Sequence, residues 1–420
     1  MSFKLSNSFN YEPNKTIEVL DSIMGSGKST GIIKWIEDNP NQRYIYVSPL
    51  LSEVEQGGRL QQSLDKVSFE TPNDKGVTKG ADMLRLLQDG VNISCTHSLY
   101  LNMSDEHFKH IYNNDYIVII DEEIDVIGGF NVYSKGDLSW LLKSKHIDIC
   151  PKDGMVSWIS DRVDIDDKHK YKTFLSYCDA KALYAAPRSD SMMVTQLPVK
   201  LFECAKRVIV LTYMFRGNVL DSFLRLKGFE VKNFDEVEVK EVDKNLIRDL
   251  ITLIPPNDNL MKLPMNSSWY KSSKPTSSEL NSIASYIKYY ASKYSDSSRK
   301  VAWCVPKSRA VKEGSRLTLI KPKGFLEDVD KNPCYLPSTI RATNRYSHKK
   351  VMIHCYDRYP LLTVAAYLSD YKCPINSETF ALSELLQWLW RGCIRNSEPM
   401  VVAIGNKRMY NLFKNWLEEI

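Results

Sequence analysis

The chain has 420 residues, of which 43% are hydrophobic and 25% are charged. This length is sufficient for two or more domains with separate cores, and the composition is typical of a globular protein. The formal net charge of +5 is too small to indicate a nucleic-acid partner by itself, so any basic surface must be local. No apolar run approaches the roughly 18 residues that a membrane-spanning helix needs, and the first residues lack the apolar core of a secretory signal.

The nine cysteines are scattered along the chain without a CxxC pair. Disulfide frameworks and zinc sites both require closer spacing. The sequence therefore predicts a cytoplasmic protein without membrane association, and isolated cysteines of this kind are expected to behave as small buried hydrophobes.

Short β-rich runs alternate with longer amphipathic stretches in the first half of the chain. The predicted strands are TIEVLDSI, RYIYVSPL, VNISCTH, YIVIIDEE and RVIVLTY, and the predicted helices cover 29–38, 52–64 and 80–89. Because these strands are apolar almost throughout, they predict a parallel sheet covered by helices on both faces. A first α/β domain is expected at residues 1–230.

Two segments depart from this alternation. Residues about 125–205 are rich in Asp, Lys and Ser and predict an insertion of helices and loops, whereas residues 231–280 predict a connector because 254–280 is rich in Pro, Ser and Asn. The next segment, SSELNSIASYIKYYASKY, predicts a helix with a serine cap. Three further apolar strands, KVAWCVP, KVMIHCY and PMVVAIG, predict a second, smaller α/β domain at residues 281–420.

The segment DSIMGSGKSTG has the pattern of a phosphate-binding loop between a strand and a helix. Gly25 and Gly27 give the backbone freedom to point its N–H groups at a phosphate, Lys28 is expected to reach the β and γ phosphates, and Ser29 is expected to bind Mg²⁺. The pattern departs from the usual one at Ser22, where a glycine is expected. The full predicted ATP-binding set is Met24, Gly25, Ser26, Gly27, Lys28, Ser29 and Thr30. The alternative interpretation is an ordinary glycine-rich turn.

The strand DYIVIIDEE ends in three consecutive carboxylates. An acidic strand end after a phosphate loop suits magnesium binding and water activation. Asp121 is predicted to hold Mg²⁺ through water and Glu122 to polarise the attacking water, and the alternative is a solvated acidic turn. The two motifs together predict an ATP- and Mg²⁺-dependent hydrolase, but they do not identify its class.

Further segments follow in an order that resembles superfamily 2 helicases, and most closely the helicase-like ATPases of tailed phages. These segments are YVSPLLSEVEQ, SCTHSLY, IVLTYMFRG, VAWCVPKS, TIRATNRYSHKK and SELLQWLWRGCIRN. The resemblance implies two RecA-like parallel-sheet domains that clamp ATP. It also implies nucleic-acid contacts by Pro49, Thr96, His97, Arg341, Thr343 and Asn344. In the third segment only Thr212 keeps the hydroxyl chemistry of the helicase pattern.

The last of these segments resembles the helicase motif that delivers arginine to the γ-phosphate. Gln387, Arg391 and Arg395 are spaced four and four, which predicts that all three lie along one face of a helix. Either arginine is a candidate for the phosphate contact, and Arg395 is favoured. Because tryptophans flank this stripe, the segment is expected to be buried, where arginine needs an anionic partner. A triphosphate and a structural salt bridge both remain open as that partner.

The basic cluster RATNRYSHKK suits contact with a nucleic-acid backbone, although such runs also occur as solvated surface. The sequence therefore predicts an ATP-dependent helicase or translocase acting in phage DNA replication or recombination, in the host cytoplasm. DNA is favoured over RNA, single-stranded or forked, with replication or recombination proteins as candidate partners. Two alternatives remain: a nucleotide-gated binding protein that does not translocate, and a packaging ATPase.

Overall fold

The structure is a computed structural model that describes residues 9–160, 170–240, 242, 244–311, 317–322, 326, 333–340 and 345–419. The first half of the chain contains the following elements in order: β1 (Thr16–Asp21), α1 (Lys28–Asp38), β2 (Arg43–Ser48), α2 (Leu51–Val54), α3 (Arg59–Gln62), α4 (Lys79–Asp89), β3 (Ile93–Thr96), α5 (His97–Tyr100), α6 (Asp105–Asn113), β4 (Tyr116–Asp121), β5 (Ile127–Gly129), α7 (Lys135–Lys143), β6 (Ile147–Ile149), β7 (Val156–Trp158), α8 (Lys172–Asp179), β8 (Leu183–Ala186), β9 (Ser189–Gln196), α9 (Lys200–Glu203), β10 (Arg207–Thr212), α10 (Val219–Leu226) and β11 (Glu230–Asn233).

The second half continues with α11 (Lys244–Leu250), β12 (Ile251–Ile254), α12 (Asp258–Met261), α13 (Ser267–Lys271), α14 (Ser277–Tyr294), β13 (Val301–Cys304), α15 (Lys307–Ala310), β14 (Val351–His354), α16 (Leu362–Asp370), α17 (Ser377–Leu389), β15 (Met400–Ile404) and α18 (Lys407–Glu418). Two short 3₁₀ helices lie at Ser298–Lys300 and Cys393–Asn396.

The chain divides into two compact units by its internal contacts. The first unit comprises Met1–Ser22, Gly27–Val239 and Pro360–Ile375, and the second comprises Ile23–Ser26, Lys240–Tyr359 and Asn376–Ile420. The segment around α16 therefore belongs to the first unit, although the residues on either side of it belong to the second.

The first unit is built on a six-stranded parallel sheet in the order β11-β1-β10-β4-β2-β3. Alternate residues of the central strand β4 enter two separate cores: Val118 and Ile120 lie in one, and Ile117 and Ile119 lie in the other. Both faces of the sheet are therefore covered, as the continuous apolar runs predict. All five strands predicted in this half are confirmed.

The second unit contains a four-stranded parallel sheet in the order β12-β15-β14-β13. The helix predicted from SSELNSIASYIKYYASKY is confirmed as α14, but its cap is Thr276 and not a serine. The Thr276 hydroxyl accepts a bond of 3.2 Å from the Glu279 N–H, and the Glu279 carboxylate accepts one of 2.7 Å from the Thr276 N–H. The mixed α/β class with parallel sheets is thus the observed fold class.

Two elements differ from the sequence-based predictions. The helix expected at 52–64 is broken into α2 and α3, because Gly57 between them adopts a left-handed φ of 74°. The turn also needs glycine at position 58, where a Cβ would lie 2.8 Å from the Glu55 carbonyl oxygen. The insertion expected to hold only helices and loops also contains β-structure. It forms an antiparallel sheet in the order β5-β9-β8 and a hairpin of β6 and β7.

Candidate nucleotide-binding site

The loop between β1 and α1 has the backbone that phosphate binding requires. Gly25 and Gly27 both have a φ of 86°, a conformation that residues with a Cβ rarely adopt. The Gly31 N–H donates to the Gly27 carbonyl at 2.8 Å, so the helix is continuous from the end of the loop. Helix α1 thus begins directly after the loop, and the N-terminus of a helix favours an anion.

A buried hydroxyl in this loop also fits an absent polar ligand. Ser26 is only 1% exposed, and its hydroxyl has no hydrogen-bond partner among the described residues. Leaving a buried polar atom unpaired costs roughly 1–3 kcal/mol, so such an atom in a glycine-rich loop is suited to a phosphate oxygen.

The position of the missing glycine is occupied by a serine without strain. The Ser22 N–H donates to the Thr212 carbonyl at 3.0 Å, which extends the pairing of β1 with β10 by one residue. Ser22 is not among the residues with positive φ, so this position does not need glycine. The Lys28 ammonium donates to the Ser22 carbonyl, which holds the lysine side chain across the loop.

Asp121, at the end of β4, lies beside Ser29 of the loop. The Ser29 hydroxyl is 3.2 and 3.3 Å from the two Asp121 carboxylate oxygens. Burial and the neighbouring Glu122 raise the pKa of Asp121 to about 6. Mg²⁺ prefers hydroxyl, carboxylate and water oxygens, and the pair Ser29–Asp121 supplies the first two.

Two further side chains orient Asp121. The Tyr46 hydroxyl donates to the Asp121 carboxylate at 3.0 Å, and the ring Nε2 of His97 lies 2.9 Å from the Asp121 carbonyl oxygen. Tyr46 is not among the site residues predicted from the sequence, because the pairing of its strand, β2, with β4 is visible only in the fold.

The two glutamates after Asp121 have different environments. Glu122 has a left-handed φ of 64°, uncommon for a residue with a side chain, and its N–H donates to the Leu211 carbonyl at 3.0 Å. The Glu123 carboxylate accepts from the Thr212 hydroxyl at 3.0 Å and from the Asn218 amide at 3.3 Å. Glu123 therefore ties the acidic strand end to the segment after β10, a contact that sequence analysis did not predict.

Asp21, at the end of β1, makes a second connection to that segment. Its carboxylate accepts from the N–H groups of Met214 at 2.8 Å and Phe215 at 2.9 Å. Met214 has a left-handed φ of 59°, and these two bonds hold the turn in that conformation. The segment around Thr212 is thus fixed to both neighbouring strand ends.

The predicted nucleic-acid residues of the first unit lie at the carboxyl ends of β2 and β3. Pro49 directly follows β2, and Ser48 at the end of that strand pairs with Thr96 at the end of β3. The Thr96 hydroxyl accepts from the Leu99 N–H at 3.4 Å and so caps α5, which begins at His97. Arg341, Thr343 and Asn344 lie outside the described residues.

The predicted single helix carrying Gln387, Arg391 and Arg395 is not observed. Helix α17 ends at Leu389, and Arg395 lies in the 3₁₀ helix that begins at Cys393. Gly392 is extended, with φ −80° and ψ −171°, so the helical path is interrupted there. A Cβ at this position would lie 2.9 Å from the Met400 sulfur and 3.0 Å from the Lys349 carbonyl oxygen, so the site has room only for glycine.

The three residues therefore do not share one helical face. Gln387 donates to the Ser383 hydroxyl at 3.3 Å, Arg391 is 5% exposed, and Arg395 is exposed. The expected burial of the flanking apolar residues is confirmed, since Trp388 and Trp390 are 1% and 4% exposed.

No cluster of three or more histidine, cysteine or carboxylate residues suited to a metal occurs in the part of the chain that the structure describes. Within the same residues, every helix is too short or too polar to cross a bilayer.

Comparison with known proteins relates both halves of the chain to other proteins. A family described as the YonV C-terminal Rossmann-like domain matches residues 244–417. The chain is 27% identical to the SPbeta prophage-derived uncharacterized protein YonV of Bacillus subtilis (strain 168), over 96% of this chain and 98% of that protein.

A solved structure named XPD_APO shares the fold. It superposes with a TM-score of 0.50 at 13% sequence identity, and the match covers 96% of this chain and 95% of that one. The similarity over nearly the whole length agrees with an α/β architecture of two parallel sheets.

Proposed function

We propose that this protein is an ATP-dependent nucleic-acid helicase or translocase of the superfamily 2 type, acting in phage DNA replication or recombination. The observation that carries the proposal is the pairing of a left-handed Gly25–Gly27 loop with an acidic strand end, through the contact of Ser29 with Asp121. The helicase-like order of motifs and the fold similarity to XPD support the choice among classes of ATPase.

In this proposal the loop binds the ATP phosphates. Lys28 exchanges its contact with the Ser22 carbonyl for the β and γ phosphates, Met24 to Gly27 and Thr30 surround them, and Ser29 and Asp121 hold Mg²⁺. When bound, Mg²⁺ would neutralise negative charge on the phosphates.

The hydrolytic step requires a positioned water and a cation on the γ-phosphate. Glu122 orients the water, and Arg391 or Arg395 supplies the positive charge. Such an arginine is worth roughly 10³–10⁵ in rate in other NTPases. Gln387 positions this arginine segment, and Pro49, Thr96 and His97 together with Arg341, Thr343 and Asn344 contact the nucleic acid.

The test is nucleic-acid-stimulated ATP hydrolysis by Lys28→Ala, with Lys34→Ala as the matched control. Both lysines are on α1, but Lys34 is exposed and lies six residues beyond Lys28, on a later turn of the helix. We expect Lys28→Ala to abolish hydrolysis and Lys34→Ala to retain the wild-type rate. Equal hydrolysis by wild type and Lys28→Ala, or none by wild type, would contradict the proposal.

A nucleotide-gated clamp is the second candidate, favoured by the break after Leu389 in the predicted arginine helix. A strand-displacement assay on a forked duplex separates the two. ATP-dependent displacement identifies a helicase, whereas ATP-dependent binding without displacement or movement identifies a clamp.

A further inference from the structure

A groove of about 750 Å³ runs along α14 in the second unit. Its walls come from α12 and α14, and all the residues that line it are asparagine, serine or tyrosine, among them Asn257, Asn281, Ser285, Tyr286, Tyr289 and Tyr290. We call this surface the tyrosine groove. It is built only from described residues of one unit, and none of the residues that line it belongs to the candidate nucleotide-binding set.

The groove lies on the solvent side of an amphipathic helix. Ser278, Ser282, Ser285 and Tyr289 recur at every third or fourth position and so share one face of α14. The opposite face is apolar and buried, with Leu280, Ile283 and Ile287 at 2% exposure or less.

The aromatic residues of the groove exceed what packing requires. Tyr286 is 2% exposed and donates to the Pro255 carbonyl at 3.1 Å, which explains its presence. Tyr289 is 56% exposed, and its ring makes an edge contact with Tyr290 at 4.9 Å. A ring held by a neighbour yet open to solvent is a platform on which another flat ring can stack.

A second, basic groove of about 400 Å³ lies at the C-terminal end of the same helix. Three lysines line it, Lys293, Lys300 and Lys350, together with one carboxylate, Asp296. Asp296 pairs with Lys300 at 3.1 Å, and Lys350 pairs with Glu398 at 3.0 Å.

Lys293 joins the two grooves. Its ammonium lies 5.7 Å from the Tyr289 ring centre and 5.3 Å from that of Tyr294, and among the described residues it forms no ion pair with a carboxylate. A neutral aromatic and amide surface therefore leads directly into a positively charged one.

We propose that the tyrosine groove and its basic end bind single-stranded nucleic acid. A base stacks on Tyr289, the asparagine amides reach base edges, and the Lys293 ammonium contacts phosphate. Duplex nucleic acid is not the expected ligand, because a base can stack on a side chain only when it is not already stacked in a double helix. This inference depends on the proposed function only for the class of ligand, since none of its residues belongs to the predicted contact set.

The test is fluorescence anisotropy of the full chain with labelled oligo(dT) and oligo(rU) of 15 nucleotides, without ATP. Tyr289→Ala should raise the dissociation constant at least about fivefold, whereas Tyr289→Phe should retain binding because stacking needs only the ring. Lys293→Ala should weaken binding and reduce the slope of log K against log salt by about 0.7. The two oligonucleotides distinguish DNA from RNA as the ligand.

Met261→Ala is the matched control, because Met261 is a large apolar residue of α12 that is 42% exposed and does not line the groove. Three results would overturn the inference. These are unchanged binding by Tyr289→Ala, an equal loss of affinity in Met261→Ala, and no binding by the wild-type protein. Thermal unfolding of each variant confirms that it is folded.

The outcomes also separate this inference from the proposed function. If nucleic acid stimulates ATP hydrolysis but Tyr289→Ala binds it as tightly as wild type, the groove is not a binding site and the proposed ATPase function stands. If binding depends on Tyr289 but the protein does not hydrolyse ATP, the proposed ATPase function is wrong and the groove remains a binding site.

Discussion

At the scale of single residues, the environment of Asp121 depends on Tyr46. The Tyr46 hydroxyl is buried and donates to the carboxylate at 3.0 Å, so it fixes the direction in which the remaining oxygen lone pairs point. Side chains that orient a metal-binding carboxylate typically affect activity about 10–100-fold when they are removed.

Replacing Tyr46 by phenylalanine is therefore expected to lower the rate of ATP hydrolysis about tenfold. Tyr44→Phe is a close control, since Tyr44 is also fully buried on β2 and its hydroxyl donates instead to the Asn39 carbonyl at 2.8 Å. Each variant should lose about 1 kcal/mol of unfolding free energy, and only Tyr46→Phe should lose activity. Equal rates of ATP hydrolysis in the two variants would show that Tyr46 has no role in the candidate nucleotide-binding site.

His354 contributes to the pH dependence of the stability of the second unit. The residue is 1% exposed on β14, and no hydrogen-bond partner for its Nδ1 occurs among the described residues. Burial, and the positive charge of Arg358, lower the pKa of His354 to about 3. The folded state therefore holds a neutral imidazole at every pH above that value.

Because the unfolded chain protonates this histidine near pH 6.5, the contribution of His354 to stability is lost as the pH falls from about 6.5 toward 3. At pH 5 the loss is about 2 kcal/mol. We expect the difference in unfolding free energy between His354→Leu and wild type to shift by this amount in favour of the variant between pH 7.5 and pH 5. Urea titrations at the two pH values measure it, and a difference that does not change with pH would contradict the assignment.

At the scale of secondary-structure elements, α16 is held to the first unit by a buried polar contact. The Gln196 amide at the end of β9 donates to the Tyr367 hydroxyl of α16 at 2.7 Å, and both residues are at most 3% exposed. Around this bond Val364, Tyr367 and Leu368 join the same apolar core as β5 and β9 residues. The helix is thus part of the core of the first unit, although the preceding segment of that unit ends at Val239, more than a hundred residues earlier in the sequence.

Tyr367→Phe leaves the buried Gln196 amide without its acceptor and should cost roughly 1–3 kcal/mol of unfolding free energy. Gln196→Met in the same chain removes the unpaired amide, so the double variant should be more stable than Tyr367→Phe alone. Chemical denaturation of the four proteins of this cycle gives the coupling energy. Additive losses would show that the bond contributes nothing.

At the scale of the whole molecule, the features that sequence analysis predicted are those with local signals. The apolar strands predicted the parallel sheet of the first unit, because β4 and its neighbours are buried on both faces. The sequence of Gly25 to Ser29 predicted a glycine-rich loop between a strand and a helix, and the structure has this loop, with left-handed Gly25 and Gly27. Ser29 lies beside Asp121. The roles of these residues in binding ATP stay predictions.

The features that sequence analysis did not predict depend on distant residues. Spacing alone suggested one helix through Arg391 and Arg395, whereas the helix ends at Leu389 and the backbone is extended at Gly392, with φ −80° and ψ −171°. The bond of Gln196 with Tyr367 joins positions 171 residues apart, which no local pattern reveals. Strands of only three residues, such as β5 and β6, carry too few alternating positions to be recognised.

The path of α16 has a practical consequence for dividing the protein into fragments. A C-terminal piece cut at the start of the family match, residue 244, would carry Pro360–Ile375 away from the core that buries it. Val364 and Leu368, which are 3% and 0% exposed in the full chain, would then face water and favour aggregation. A soluble version of the second unit therefore requires a short polar linker in place of this segment, because the boundary suggested by sequence similarity is not the boundary of a folding unit.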